Sequence, residues 1–377
     1  MSVNQQPQKS QKVALIMAGG TGGHVFPALA VADLLRAANV EVHWLGTAAG
    51  IEAKVVPNAD IQLHCIDVKG LRGKGKLGLL KAPWLIFKAI CQARQVFKLV
   101  KPDVVLGMGG FASGPGAVAA KLAGVPLIIH EQNAKAGMTN KLSLSMAKRK
   151  LAAFPGAFSA GANSAADNSD SQKGIEIVGN PVRVPILQMQ PSSERYAERS
   201  GRLNLLIVGG SLGAAAINKV LPATLAQIDA EQRPNVWHQA GVRNIDETIA
   251  LYTDAGVNGN ITAFINDMQA AYGWADLVIC RAGALTVSEL AIAGVASILV
   301  PFPHAVDDHQ TANGRFLERA GAAIMVQQKD LDSQKLTALL SELQDRKLLA
   351  AMAQKAVSVA SPQASSIVAN ICLEEIK

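Results

Sequence analysis

The chain is poor in aromatic residues, in charge and in cysteine. Aromatics are 4% and charged residues 17% of the 377 residues, against 49% apolar. That balance excludes a disordered polyelectrolyte and describes a well-buried globular protein, long enough for two domains. The four cysteines, Cys65, Cys91, Cys280 and Cys372, stand far apart. None pairs at metal-ligand spacing, so they read as buried reduced thiols rather than a disulfide frame or a zinc site. The histidines form no metal-spaced cluster, and His130-Glu131 lacks the second histidine of a zinc-protease motif. Apolar runs are too short to span a bilayer: Ala82–Ile90 and Val118–Ile129 are broken by Lys88 and Lys121. The stretch from Met1 to Lys12 is polar and Gln-rich, without the apolar core of a signal peptide. It is expected to be a frayed arm of a cytosolic protein.

Two common nucleotide motifs are also missing. The glycines at 19–23 break the G-x-G-x-x-G spacing because residue 25 is Val25. No acid follows the second expected strand, where Leu45-Gly46-Thr47 stands. Both facts count against NAD or FAD. No Gly-Lys-Ser/Thr follows either, so the turn is not a Walker A loop.

What is present occurs twice. Val13–Met17 runs into Gly19-Gly20-Thr21-Gly22-Gly23-His24, and Leu205–Val208 runs into Gly209-Gly210-Ser211-Leu212-Gly213. Each is a short apolar strand, a glycine turn and a small-residue stretch that opens a helix. That arrangement sets backbone N–H groups and the positive end of a helix where a phosphate can sit. A plain tight turn needs fewer glycines than the first one carries. Strands are expected at Val13–Met17, Val42–Leu45, Asp103–Leu106 and Pro126–Ile129, then at Leu205–Val208, Val236–His238, Ile261–Phe264, Leu277–Ile279 and Ser297–Val300. Helical stretches separate them, with helices expected at Pro27–Arg36, within Leu71–Val100 and at Ala364–Glu375. The alternation implies two parallel sheets with ligands at the C-terminal strand ends. Ser159–Lys173 has loop composition, and Gly179-Asn180-Pro181-Val182-Arg183 has the chemistry of a hinge.

Polar residues gather after these strands. His24 adjoins the first glycine turn and is the first candidate for a general base; Glu131 and Asn133 follow another strand and come second. Each also has a plainer reading as a capping or loop residue. Glu289 lies early in the helix opened by Gly283, where a carboxylate can accept two hydrogen bonds from a ribose or simply suit the helix dipole. Pro301–His304 and Asp307–Gln310 form a polar loop after the next strand.

Charge is uneven. Residues 1–150 carry 19 Lys/Arg against 7 Asp/Glu, and the remainder 17 against 22, so the basic excess lies in the first half. Residues 68–102 hold nine basic side chains and no acid. An anionic partner is implied for that half. Stacking aromatics do not interleave the basic residues, which argues against nucleic acid. Instead Leu79, Leu80, Trp84, Leu85, Ile86 and Phe87 stand among Lys74, Lys76, Lys81 and Lys88. A basic, apolar segment of that kind suits the headgroup boundary of an anionic membrane. The alternative buries the apolar residues in a core beneath a solvated basic face.

Together the motifs at 19–24, 107–115 (Gly-Met-Gly-Gly-Phe-Ala-Ser-Gly-Pro), 130–133 (His-Glu-Gln-Asn), 179–183, 209–211, 281–289 (Arg-Ala-Gly-Ala-Leu-Thr-Val-Ser-Glu) and 308–310 resemble the MurG family. Its members are bacterial N-acetylglucosaminyltransferases that convert lipid I to lipid II in peptidoglycan synthesis. The resemblance spans nearly the whole chain in order and spacing. It implies an α/β GT-B fold, two Rossmann-like parallel-sheet domains facing across a cleft. An N-terminal domain at 1–183, with a loop at 159–173, would meet the lipid-linked acceptor. A C-terminal domain at 184–360 would hold UDP-GlcNAc, and a helix at 361–377 would pack back on the first domain.

Residue by residue, the resemblance sets Thr21, Gly22 and Gly23 beside the donor pyrophosphate and sugar, and Asn133 near the sugar. It sets Arg183 and Ser211 on the nucleotide or its phosphates, and the Ile265 backbone on the uracil edge. Ala284, Leu285, Thr286, Val287, Ser288 and Glu289 run along the nucleotide, with Glu289 on the ribose, and Gln310 lies near the GlcNAc hydroxyls. Leu212 stands where the family commonly has glutamine, which removes a hydrogen-bonding side chain. The implied reaction is inverting and metal-free, with no cofactor, at the cytoplasmic face of the bacterial inner membrane. Implied partners are UDP-GlcNAc, lipid I and anionic phospholipid, with room for other cell-wall synthesis or division proteins and none for nucleic acid. The rival within the fold is another nucleotide-sugar enzyme, such as a UDP-GlcNAc 2-epimerase or a glycolipid glycosyltransferase.

Overall fold

The computed structural model describes residues 11–68, 76–159, 174–210 and 213–376, and of 76–81 and 306 the backbone alone. The arm at 1–10, Lys69, Arg72 and Lys74 of the basic segment, residues 160–173 of the loop, Ser211 and Leu212 lie outside the described residues. The chain divides into two compact units. One is Met1–Gln132, Ala136–Pro181 and Gln363–Lys377; the other is Asn133–Lys135 and Val182–Pro362.

Among the described residues, the first unit holds a seven-stranded sheet of β1 (Val13–Met17), β2 (Glu41–Gly46), β3 (Gln62–Cys65), β4 (Val104–Gly107), β5 (Leu127–Glu131), β6 (Arg149–Ala152) and β7 (Ile175–Ile177). Their order is β3-β2-β1-β4-β5-β6-β7, and every pair is parallel. Alternation along β1 serves both faces. Ala14 and Ile16 join Val25, Val31 and Leu35 of the Gly22–Ala37 helix and Val368 and Ile371 of the Ala364–Glu375 helix. Leu15 and Met17 join Ala89, Ala93 and Phe97 of the Lys76–Val100 helix and Ala117 and Ala120 of the Ser113–Ala123 helix. A strand covered on both faces needs an unbroken apolar run, which is what Val13–Met17 provides. Each large side chain so buried contributes about 1.5–3 kcal/mol.

The second unit repeats the plan with β8 (Asn204–Val208), β9 (Asn235–Gln239), β10 (Asn260–Thr262), β11 (Leu277–Cys280), β12 (Ala296–Leu299) and β13 (Ala323–Met325). The order is β10-β9-β8-β11-β12-β13, again all parallel. One hydrogen bond recurs at the matching place. Asp103, just before β4, accepts from the Val13 amide at 2.8 Å, and Asp276, just before β11, accepts from the Asn204 amide at 2.8 Å. Asp276 is fully buried and also pairs with Arg199 at 2.8 Å and Arg346 at 3.2 Å. In each unit the chain reverses its strand order beside the first strand, between β1 and β4 and between β8 and β11. Parallel sheets generally bind ligands beside such a reversal, at the C-terminal strand ends.

Several sequence expectations need correction. The helix expected at Pro27–Arg36 starts at Gly22, so Pro27 lies inside it rather than in its first turn. Glycine propensity hid that start. Glu131 ends β5 instead of following it. Strands β3, β6 and β7 escaped the apolar criterion because they are short and lie at or next to sheet edges, where polar residues are tolerated; β13, Ala-Ile-Met, escaped it by its three-residue length. Cys280 and Cys372 are buried, but Cys65, on edge strand β3, is exposed and Cys91 is half-buried.

Candidate functional site

In the first unit the glycine turn after β1 is held from two sides by close contact. An ideal Cβ on Gly110, at φ +91°, would stand 2.5 Å from the Gly19 carbonyl oxygen. On the other side, a Cβ on Gly19 would stand 2.5 Å from Glu52 Oε1. Glu52 is fully buried, and its carboxylate accepts from Gly20 N (2.9 Å), Thr47 N (3.1 Å) and Thr47 Oγ1 (2.7 Å). Buried Trp44 donates from Nε1 to the Ala18 carbonyl at 2.8 Å and fixes the entry to the turn. Thr21 is the extended N-cap of the next helix and makes no side-chain cap. Its carbonyl accepts from His24 N at 3.1 Å and Val25 N at 3.2 Å. The amides of Gly22 and Gly23 head the helix without intrahelical acceptors, which suits an anion.

Parallel register brings three strand ends level: Met17 pairs with Gly107, and Gly107 with Ile129. His24 therefore meets the loops after β4 and β5. Its ring rests on Gly109, at φ +92°, where a Cβ would approach Nδ1 and Cε1 to 3.0 Å. Its Nδ1 lies 2.8 Å from Gln132 Oε1. Glu131, the second base candidate, is 1% exposed. Its Oε2 accepts from Gly137 N (3.0 Å) and Asn140 Nδ2 (2.8 Å), which ties β5 to the head of the Met138–Ser143 helix. That gives Glu131 a structural task its position in the sequence did not reveal.

The second unit has its own glycine turn. A Cβ on Gly209 would stand 2.6 Å from Ala214 N, and one on Gly213, at φ +78°, 2.3 Å from the Ala240 carbonyl oxygen. The helix Ala284–Ala293 follows β11, with Gly283 as an extended N-cap. Its leading amides, Ala284 to Thr286, are open donors of the kind phosphates use. Val287 is fully buried and the Ser288 hydroxyl donates to the Ala284 carbonyl at 3.0 Å, so this stretch offers backbone rather than those side chains. Glu289, 4% exposed, accepts from Arg183 Nη2 at 3.1 Å and Tyr272 OH at 3.1 Å. The two residues expected on ribose and phosphate are thus paired with each other. Burial pushes the Glu289 carboxyl above the usual carboxylate range, against the opposing pull of Arg183. The Ile265 amide donates to Gln239 Oε1 at 3.0 Å, so that amide is already engaged within the unit. Gln310 accepts from Phe302 N at 2.9 Å. Asn133, grouped with this unit, accepts from Asn313 Nδ2 at 3.3 Å.

On the basic segment, Trp84 is 68% and Phe87 56% exposed, with ring centroids 5.9 Å apart. Leu85 and Ile86 are exposed too. Lys88 pairs with Asp67 at 2.9 Å. Helical backbone covers Lys76, Leu79, Leu80 and Lys81. Among the described residues no helix is long and apolar enough to cross a membrane, and no three His, Cys, Asp or Glu could jointly hold a metal.

Residues 14–152 match the glycosyltransferase family 28 N-terminal domain, and residues 204–370 the family 28 C-terminal domain. A protein of Cellvibrio japonicus (strain Ueda107) is 56% identical over 362 residues, 96% of this chain and 97% of that one. It is named UDP-N-acetylglucosamine–N-acetylmuramyl-(pentapeptide) pyrophosphoryl-undecaprenol N-acetylglucosamine transferase. A Pseudomonas fluorescens (strain SBW25) protein of the same name is 52% identical over 361 residues, covering 96% and 98% of the two chains. The crystal structure of Acinetobacter baumannii MurG superposes with a TM-score of 0.81 at 43% identity, over 96% of this chain and 99% of that one. The chain belongs to the MurG family of family 28 glycosyltransferases. Its two Rossmann-like domains have the GT-B fold of that family. A UDP-GlcNAc 2-epimerase from Neisseria meningitidis, at TM-score 0.65 and 14% identity, shares the fold alone.

Within this MurG-family chain, sequence reading passed over Glu52, Gln132, Tyr272 and Asn313. A lone Glu in a small-residue stretch carries no motif, and only folding reveals what it faces. The Glu52 carboxylate accepts from three donors, so Glu52→Gln replaces one acceptor oxygen by a donor. Urea unfolding should show a loss of about 1–3 kcal/mol. An unchanged midpoint would mean that the turn does not depend on that carboxylate.

Proposed function

We propose that the chain transfers N-acetylglucosamine from UDP-GlcNAc to the C4 hydroxyl of undecaprenyl-pyrophosphoryl-MurNAc-pentapeptide, lipid I, forming lipid II. The observation that carries this is end-to-end identity above 50% to proteins named for that transfer. The epimerase alternative has only fold likeness behind it. In our reading the transfer is a single displacement with inversion. The acceptor C4 oxygen bonds to C1 of GlcNAc, its proton passes to His24, and the C1–oxygen bond to UDP breaks.

The half-buried ring of His24 beside an amide-lined turn supports its choice as base. Arg183 and the amides at the Ala284 helix head are suited to hold the departing diphosphate, the task a metal performs elsewhere. Glu289 is to take the ribose after exchanging its bonds with Arg183 and Tyr272, and the Ile265 carbonyl the uracil. Thr21, Asn133 and Gln310 are assigned to the sugar, and Ser211 to the phosphates.

Labelled UDP-GlcNAc and a lipid I analogue should yield labelled disaccharide-lipid at the same rate with and without EDTA. No product would refute the transfer; loss in EDTA restored by Mg²⁺ would refute the metal-free step. In the same assay His24→Ala should lower turnover by about 10²–10⁴-fold, while calorimetry shows UDP-GlcNAc still bound. Parental turnover would remove His24 from the role of base.

The acceptor's lipid tail calls for a membrane-facing surface. We assign it to the Lys76–Val100 helix with Leu79, Leu80, Trp84, Phe87, Lys76, Lys81 and Lys88, and to the neighbouring Lys74. The exposed Trp84–Phe87 pair is the support. Protein of this kind would sit peripherally at the cytoplasmic face of the bacterial inner membrane, each basic residue near an anionic surface adding about 1 kcal/mol. Trp84→Ser/Phe87→Ser should float less with anionic vesicles, and high salt should release the parent; equal flotation would move the docking surface elsewhere.

A further inference from the structure

A chain of hydrogen bonds buried in the first unit dictates where the proton of His24 sits. It begins at the Gly179 carbonyl, 2.9 Å from His130 Nε2. A carbonyl only accepts, so Nε2 of His130 carries hydrogen. His130 is fully buried, and burial pushes its pKa down to about 4. The ring is neutral at pH 7, and its Nδ1 is a bare acceptor. Gln132 Nε2 stands 3.2 Å from that Nδ1 and 3.3 Å from the His130 carbonyl oxygen. Both need a donor, so the amide nitrogen of Gln132 faces His130 and its oxygen faces the other way. Gln132 is 1% exposed, and Asn180 Nδ2 holds its carbonyl at 3.3 Å. Gln132 Oε1 then meets His24 Nδ1 at 2.8 Å. An amide oxygen only accepts, so His24 Nδ1 carries the hydrogen. In a neutral imidazole that leaves the lone pair on Nε2.

We propose that Gln132, anchored by His130, is the positioning residue that holds His24 in the Nδ1–H tautomer, so that Nε2 is the atom that takes the acceptor proton. This rests on His24 as the base. The Nδ1–H that Gln132 accepts persists when Nε2 gains the proton, so the ring need not turn during transfer. An amide does this without a second charge, unlike the carboxylate that orients histidine in a serine-protease triad.

The test reads the tautomer directly. With ¹⁵N-histidine label, long-range ¹H–¹⁵N correlation on the parent should show a protonated Nδ1 and an unprotonated Nε2 for His24, its signals assigned by their loss in His24→Ala. A parent with Nε2–H would overturn the proposal without any variant having to fold. Gln132→Met removes the acceptor at similar volume. It should shift His24 toward the Nε2–H form and lower kcat by about 10²-fold, with the KM for UDP-GlcNAc unchanged. In a His24→Ala background the same change should lower kcat no further, because Gln132 acts through His24. An unshifted tautomer, or a full additional loss in that background, would overturn the assignment. A His24→Ala protein with parental turnover, beside a tautomer that does shift, would instead refute the base reading and leave the positioning intact.

Discussion

No side chain fits between the turn at Gly19 and the turn at Gly110. The two backbones touch, at a distance where a single methyl would overlap a carbonyl oxygen. Everything at the C-terminal end of the first sheet depends on that approach. It draws the loop after β4 against the loop after β1 and sets Gly109 under the His24 ring. Glu52 closes the far side of the same turn with three accepted hydrogen bonds. The glycines are thus required by contact, whatever else the turn holds.

The second unit solves the same problem with different side chains. Its glycine turn is pressed against Ala214 and Ala240 rather than against a neighbouring turn. An aspartate before the fourth chain-order strand bonds the first strand in both units, but only Asp276 is fully buried and recruits two arginines. The difference follows the work assigned to each. The first unit must hold one imidazole in register with two loops. The second must hold Arg183, Glu289 and Tyr272 together, with the Glu289 carboxylate accepting from both of the others. A ligand that takes Glu289 or Arg183 replaces bonds of similar strength, so the net gain from each is smaller than a free charge would give.

Much of this was legible in the residues. The buried central strands announced themselves as unbroken apolar runs, because a parallel sheet covered on both faces admits little else. The glycine turns and the polar residues after the strands stand at the C-terminal end of each sheet, as their order in the chain implied. Edge strand Ile175–Ile177 and its neighbour Arg149–Ala152 did not show, since strands there are only partly covered and tolerate Arg, Lys and Glu. The start of the first helix was concealed by Gly22 and Gly23, whose low propensity is overridden by the turn that leads into them.

The sequence by itself determined two parallel-sheet units, the duplicated turn, the basic segment and the family, because each is written in local pattern and in order along the chain. Tertiary structure alone decided which polar residues meet. Glu131 stood second to His24 as a base on sequence, and β5 carries it inward to the Met138–Ser143 helix. Glu52, 32 residues beyond Gly20, has no local signature, and Gln132, 108 beyond His24, stands in the 130–133 motif without showing what it faces. Their partners are set by strand register, and register is fixed by packing across the whole sheet rather than by neighbours in sequence.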